Sequence, residues 1–574
     1  MATTSISTPD ALASESSAAS AGGIPPPAHP GRALFVNAVE VPTPVALRMV
    51  GTLPSWLTGT LLRIGPGTFV IPRGDGGGTS KPLSFSHWFD GLGILHRFHL
   101  PGDGTIMYSA RKTAAEEEAR LAGGATLGGT FGQDPCAGVF ARVRAAWAGL
   151  NHDRTNVNVS VGRFGKSGDV YARTDANVLL QVDPSNLDVT GRTSYAAHNK
   201  ALRGPLSSAH PETCPETGDT YNFTMDFGAA GATYTIFCVP AAGGLSAAYE
   251  VARINAPPRY IHSFFLTSRY IILGAWPTLI RPLRLLWEGN FASAVDFEAD
   301  SATLFYVIDR HRPGAGGGSG SGGDAAAAAA ASVVATYTAP PLFCFHTVNA
   351  YETPSGDLSL TLCHYPDTAI IQDLGLGKLA SAPSRDFHRP RLATYTLPNP
   401  AGVAAATVAG GGGDGRRRTR PAPVPAEGPV FLSGQQIELP RINPAFATRR
   451  HSHTYGTSYV EADKVRGDFY WNALAKVTTP MTAEGTEAAA STAVLEWSET
   501  GCYPSEPVFV ARPGGSAEDD GVVLSVVVDV PRCCTFLLVL DAKTFKELAR
   551  AEVDEVVPLT FHGSFLGLEG AAPA

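Results

Sequence analysis

The sequence predicts an all-β fold, and three observations carry that prediction. From Leu53 onward the chain is written in short apolar runs of strand length, each broken by Gly, Pro, Asp or Asn. A phrase of the form strand, Asp, turn, return strand recurs, as in Val182-Asp183-Pro184-Ser185-Asn186-Leu187 and Leu540-Asp541-Ala542-Lys543-Thr544-Phe545. Helical periodicity is confined to one region. Many strands joined by turns make a barrel, a sandwich or a propeller. No strict period is found that would choose among the three.

Residues 1–30 are rich in Ser, Ala and Pro, contain Asp10 and Glu15, and hold no Lys or Arg before Arg32. A secretory signal needs a basic start and an apolar middle, and a transit peptide is Arg-rich and poor in acids. The expectation is a disordered N-terminal tail on a cytoplasmic protein, with a plastid address as the alternative its Ser/Ala bias leaves open. Residues 31–574 are expected to form a single domain, because 44% hydrophobic content supplies a large core. Its strands include Thr60–Gly65, Ile94–Leu100, Tyr270–Leu273, Val522–Val528 and Thr535–Asp541. Ala114–Leu121 and Val139–Leu150 carry helix formers, the latter with Val139, Val143, Trp147 and Leu150 at helical spacing. They read as a helical cap on the sheets, or as a lid touching a membrane near a tunnel mouth. Residues 311–332 and 400–429 are low-complexity surface insertions. They interrupt the domain without dividing it, since candidate ligands lie on both sides of each.

A net charge of −8 gives no basic face for nucleic acid. No run approaches the length of a transmembrane helix. Eight cysteines occur without a CxxC pair, and adjacent Cys533 and Cys534 in a strand would point to opposite faces. They read as reduced thiols rather than as zinc ligands or disulfides.

Four histidines stand out in strand-like or turn settings: His210 in Ser208-Ala209-His210-Pro211, His262 in Tyr260-Ile261-His262-Ser263, His346 in Phe343-Cys344-Phe345-His346-Thr347, and His562 in Leu559-Thr560-Phe561-His562-Gly563. Singly, each is better read as a hydrogen-bonded core residue. As a set, widely spaced along the chain, they are what a propeller axis would collect, one inward side chain from each contributing blade. Imidazole suits iron, zinc and copper, so the ligands alone do not name the metal. Ligating imidazoles usually donate their second N–H to a carboxylate. Asp175, Glu438 and Glu506 each sit in an otherwise uncharged or apolar phrase and want a partner there. His451 and His453 share a strand face at metal-like spacing, but Arg449 and Arg450 beside them disfavour a cation. His96 and His99 fall on opposite faces of one strand. His87 and His364 read as structural or pocket residues.

The phrases Gly59-Thr60-Leu61-Leu62-Arg63-Ile64-Gly65-Pro66-Gly67 and His87-Trp88-Phe89-Asp90-Gly91-Leu92, the four histidine phrases, and Tyr503-Pro504-Ser505-Glu506-Pro507 with Asp519-Asp520-Gly521-Val522-Val523-Leu524-Ser525 together resemble the carotenoid cleavage oxygenase family. The likeness runs in order from about residue 35 to 567 and is strongest to the animal-type branch of β-carotene oxygenases and the retinal pigment epithelium isomerase. It implies a seven-bladed β-propeller, with a helical cap over the metal-bearing face and Fe(II) held by His210, His262, His346 and His562. Glu438 and Glu506 match two of the family's three outer glutamates. The third reads Asp175, one methylene shorter, so its bond to the expected partner His262 is either direct or bridged by water.

The implied reaction inserts both atoms of O2 across a conjugated C=C bond and leaves two carbonyls. The implied substrate is β-carotene, cut at or near its centre to give retinal. Cleavage of apocarotenoids or stilbenes, and isomerohydrolysis of retinyl esters, are the alternatives. Phe69 and Tyr365 match tunnel positions. Thr174, where stilbene-cleaving relatives carry lysine, favours a hydrocarbon polyene. Gln133-Asp134-Pro135-Cys136-Ala137 keeps only part of the isomerase branch's membrane phrase, which implies transient membrane contact through residues 113–150.

Overall fold

The computed structural model describes residues 29–73, 81–125, 130–132, 156–165, 168–229, 231–288, 290–311, 333–409, 423–461, 469–479 and 492–567. Strands dominate them, and the expected runs lie inside longer elements such as Gly59–Thr68, Leu92–Leu100, Gly521–Asp529 and Cys534–Asp541. Gly521–Asp529 is buried along its whole length, which accounts for its unbroken β-branched text in place of apolar–polar alternation.

The strands form successive antiparallel meanders. The first runs Val41–Ala46, Met107–Lys112, Leu92–Leu100, Gly59–Thr68 and is completed by His562–Leu566 from the other end of the chain. The second contains Ser160–Arg163, Val170–Arg173, Leu179–Val182 and Val189–Thr193. Leu206–Ser207 and Glu212–Thr213 both pair with Thr220–Gly228 to begin the third, and Phe265–Leu266 begins the fourth. Thr347–Glu352 opens a larger sheet in which the 15-residue strand Glu427–Arg441 pairs with Arg391–Leu397 on one side and His453–Ser458 on the other. Cys502–Pro504 and Val508–Ala511 open the last, whose outer edge is Arg48–Gly51.

The opening strands touch in cyclic order. Gly59–Thr68 and His562–Leu566 meet Ser160–Arg163, Glu212–Thr213 meets Phe265–Leu266, and Phe265–Leu266 meets Thr347–Glu352. Ala473–Thr478 meets Cys502–Pro504, and Val508–Ala511 returns to His562–Leu566. A bridge from Ala176 to Leu206 joins the second meander to the third. Among the described residues no sheet closes on itself as a barrel; the succession of small meanders is propeller-like. The largest apolar core fills the third to fifth sheets, with Trp276, Tyr234, Phe305 and Tyr395 fully enclosed.

Ala115–Ala122 is a helix, as the sequence predicts. Glu116, Glu117 and Glu118 in its first turn and Arg120 in its last suit its dipole, and buried Leu121 anchors it. The second expected helix, Val139–Leu150, and the phrase Gln133–Ala137 lie outside the described residues. So do residues 1–28, 312–332 and 410–422, which hold nearly all of the expected tail and the centres of both insertions. The second insertion is regular at its ends: Pro400–Ala409 is a helix against Val333–Ala339, and Val424–Pro425 pairs in parallel with that strand. Alanines following Pro400 are good helix formers, a preference that overall composition hides. The seven described cysteines are unpaired. No described helix is long and apolar enough to cross a membrane.

Candidate metal centre

Each of the four histidines sits where a meander begins. His562 is the first residue of its strand and pairs with Ile64. His346 directly precedes Thr347–Glu352, His262 lies just before Phe265–Leu266, and His210 lies between Leu206–Ser207 and Glu212–Thr213. Their rings converge, His210 standing 4.6, 5.1 and 4.3 Å from the centroids of His262, His346 and His562. One nitrogen from each lies within 4.8 Å of all the others.

The outer nitrogens are held by the three carboxylates. His262 Nδ1 donates to Asp175 Oδ2 at 2.7 Å, His346 Nδ1 to Glu438 Oε2 at 2.5 Å, and His562 Nδ1 to Glu506 Oε1 at 2.7 Å. The shorter Asp175 therefore reaches its histidine directly. With the protons on Nδ1, the Nε2 lone pairs of these three face inward. His210 Nε2 and His262 Nε2 stand 3.0 Å apart, and His346 Nε2 is buried without a hydrogen-bond partner. Converging lone pairs repel unless a cation lies between them. A set of neutral imidazoles with carboxylate-held Nδ1 protons is a metal-ligand set, and it fits a divalent transition metal. Burial pulls the His562 imidazole down to about 4 despite Glu506, and holds His210 well below its ordinary value with the neighbouring imidazoles adding to the effect. Both favour the unprotonated form that binds metal.

Each carboxylate has its own support. Glu506, 1% exposed, accepts from Arg63 Nη1 at 2.6 Å, Arg441 Nε at 2.8 Å and the Gly563 N–H at 3.0 Å. Burial alone would raise its pKa, but Arg441, His562 and Arg63 hold it well below the usual carboxylate range. Glu438 accepts from Tyr365 Oη at 3.1 Å and from the N–H of Leu439 at 2.6 Å. Leu439 adopts a left-handed φ of 50°, an unusual conformation for a bulky residue, and it belongs to the turn that carries this N–H back onto the preceding side chain. Burial raises the Glu438 pKa, yet His346 and these donors bring it below its ordinary value. Asp175 accepts from Tyr260 Oη at 2.9 Å and from the Ala209 N–H at 3.1 Å.

An apolar pocket opens beside the cluster. His262, His346 and His562 line it, whereas His210 does not. Its aromatic wall includes Phe89, Phe131, Phe291, Phe345 and Phe561, and helical residues Leu121 and Ile370 contribute to it. Thr174 and Tyr365 also line it. Phe69 does not. Its ring packs edge-on against Phe35, which packs in turn on pocket-lining Trp88, so Phe69 stands behind the wall.

The other histidines have partners of their own. His451 Nδ1 meets Asn349 at 3.1 Å, and His453 Nδ1 meets Thr478 at 3.0 Å. His96 meets Tyr108, His99 meets Thr60, and His87 Nε2 donates to the Ile371 carbonyl. His364 packs against Tyr395 and Phe431. Arg63, Arg441 and Tyr260 are the site residues that sequence reasoning missed. Arg63 carried a usable signal: a lone charge in Leu61-Leu62-Arg63-Ile64 needs a buried acid as much as Glu506 needs a base.

A sequence profile described as the retinal pigment epithelial membrane protein family matches residues 34–567. The chain is 32% identical over 604 residues to a carotenoid dioxygenase of Neurospora crassa, a match covering 93% of this chain and 90% of that one. It is 31% identical to a torulene dioxygenase of Fusarium fujikuroi, covering 94% and 93%, and 29% identical to the mouse β,β-carotene 15,15'-dioxygenase, covering 92% and 90%. In fold it is similar to a cobalt-substituted apocarotenoid oxygenase of Synechocystis, with a TM-score of 0.70 at 21% identity over 94% of this chain and 99% of that one.

Proposed function

Since the chain belongs to the retinal pigment epithelial membrane protein family, we propose that it is a non-haem Fe(II) dioxygenase that cleaves a conjugated C=C bond of a carotenoid with O2. The single observation that carries this reading is the opening of an apolar, aromatic-walled pocket onto four converging imidazoles. The dioxygenase names of the fungal and mouse relatives support the reaction class. We take β-carotene, cut at or near its centre to give retinal, as the substrate. The torulene dioxygenases among the relatives favour a second reading, in which another carotenoid hydrocarbon fills the same pocket.

His210, His262, His346 and His562 would hold the iron, and bound Fe(II) would supply the redox chemistry that lets O2 react with a polyene. The chain's own residues do the rest. Asp175, Glu438 and Glu506 keep the protons on Nδ1 and orient the rings. Phe89, Phe345 and Phe561 exclude water from the cleavage site and offer aromatic faces to cationic character in the polyene. Thr174 presents no cation to a phenol oxygen, in keeping with a hydrocarbon. The products are two carbonyl compounds, one oxygen atom in each.

We further read the meanders as seven blades around the metal, counting the sheet that contains Glu427–Arg441 as two blades sharing that strand. The cyclic contacts of the opening strands support this count. Leu121, Ile370 and Leu374 on the pocket wall support a helical cap over the metal-bearing face. On this reading residues 31–574 are one domain and the compartment is the cytoplasm. Residues 113–150 touch a membrane only transiently, to collect substrate.

The test is anaerobic loading with Fe(II), followed by β-carotene, torulene, apocarotenoids, resveratrol and retinyl ester under isotopically labelled O2. Labelled aldehydes from β-carotene are expected. An alcohol formed without O2 would assign the isomerohydrolase reading, and labelled products from resveratrol alone the stilbene reading.

A further inference from the structure

We propose that Tyr260 is a positioning residue for the metal site, making up for the methylene that Asp175 lacks; the proposal rests on the metal reading above. The phenol oxygen lies 2.9 Å from Asp175 Oδ2 and 3.1 Å from His262 Nδ1. His262 Nδ1 and Asp175 Oδ2 are themselves 2.7 Å apart, so the three atoms form a closed triangle. The hydroxyl donates to the carboxylate, and its oxygen can accept a share of the imidazole N–H. Two acceptors on one N–H fix the plane of the ring and keep the proton on Nδ1.

Tyr260 is built to stay there. It is 5% exposed, its N–H donates to the Thr278 carbonyl at 2.9 Å, and Thr278 Oγ1 donates back to its carbonyl at 3.0 Å. Its ring is held edge-on by Phe291, 5.0 Å away, and stacks on Phe343 at 6.4 Å. The other Asp175 oxygen accepts from the N–H of Ala209, the residue before His210, so one carboxylate ties two candidate ligands together.

The three carboxylates are anchored by different means. Glu506 is gripped by Arg63 and Arg441, and Glu438 by the N–H of Leu439 and by Tyr365. Among the described contacts, the Asp175 carboxylate has only Tyr260 as a side-chain donor besides the histidine it orients. A glutamate there would reach farther and depend less on a neighbour. The phenol is therefore an adaptation to the aspartate.

The test measures Co(II) binding by the metal-free full chain through chelator competition, together with the Co(II) ligand-field spectrum. Four chains are compared: the parent, Tyr260→Phe, Asp175→Glu and the double variant. Tyr260→Phe should weaken binding about tenfold and shift the spectrum, within the range seen when an outer partner of a ligand is lost. In the Asp175→Glu background the same substitution should cost less than about threefold, the non-additivity expected of groups in one network. Equal losses in the two backgrounds, or none in either, would overturn the proposal. If Tyr260→Phe alone does not fold, the double variant decides, with parent-like binding upholding the proposal and lost binding overturning it. A parent chain that binds no Co(II) would instead overturn the metal reading itself.

Discussion

At the scale of single residues, the site depends on buried charges and imidazoles that have partners from distant parts of the chain. Replacing His346 by Ala removes the imidazole held by Glu438 and leaves that buried carboxylate without its histidine. Iron content and turnover should fall together, as elemental analysis and product assays would register; full iron with full turnover would remove His346 from the ligand set. Arg63 and Glu506 are each 1% exposed, so Arg63→Met leaves an under-compensated buried carboxylate and should cost about 3–5 kcal/mol in denaturant unfolding. A loss below about 1 kcal/mol would show that Arg441 suffices alone. The four histidines and three acids were legible because polar side chains in apolar phrases need partners. Arg63 carried the same signal in its own phrase. Tyr260 was not legible, because a tyrosine whose hydroxyl reaches a carboxylate has the same local text as one that only packs.

At the scale of elements, the recurring Asp-turn phrase is one device used twice. In Val182–Leu187 and Leu540–Phe545 the Asp side chain accepts the N–H two or three residues on, and its carbonyl accepts the N–H of the fifth residue of the turn. That residue, Leu187 or Phe545, takes a left-handed φ of 67° or 57° and is buried to 1% or 3%. Burial of a large side chain outweighs the backbone penalty, which is why the position is not glycine. Gly59 is the opposite case. It has φ +144°, and an added Cβ would lie 2.6 Å from the carbonyl oxygen of Leu566 on the strand that begins with His562. Gly59→Ala should cost more than about 1 kcal/mol in unfolding and loosen metal retention as well; unchanged stability with unchanged retention would contradict that coupling. Strand positions were readable from composition and turns. The place of Phe69 was not, because Gly59–Thr68 is buried on both faces and shows no alternation to say which face meets the pocket.

At the scale of the whole molecule, the number and closure of the sheets were hidden from the residues alone, because the meanders share a plan without sharing a sequence period. Their joint, the pairing of Gly59–Thr68 with His562–Leu566, brings together segments some five hundred residues apart. Folding at this scale also predicts an acid response. Burial pulls the His87 and His451 imidazoles down to about 4 and that of His96 to about 3, the latter with help from Arg63. Below the ordinary histidine value the unfolded chain takes up protons that the folded chain refuses, so stability is lost as pH falls from about 6.5 toward 4, by about 1.4 kcal/mol per pH unit for each histidine. Glu212, raised by burial to about 7, works the other way between about 7 and 4.5, but it is one group against three. The urea midpoint of the metal-free protein should therefore drop between about pH 7 and pH 5; a midpoint that holds or rises would contradict this. The central claim is that four imidazoles from separate sheets hold one iron. X-ray absorption at the iron edge of the Fe(II)-loaded chain addresses it most directly. The account predicts one iron per chain with a scattering pattern of four histidine rings and no sulfur, lost in His346→Ala. A sulfur shell, a carboxylate-dominated shell, or an unchanged spectrum in His346→Ala would contradict it.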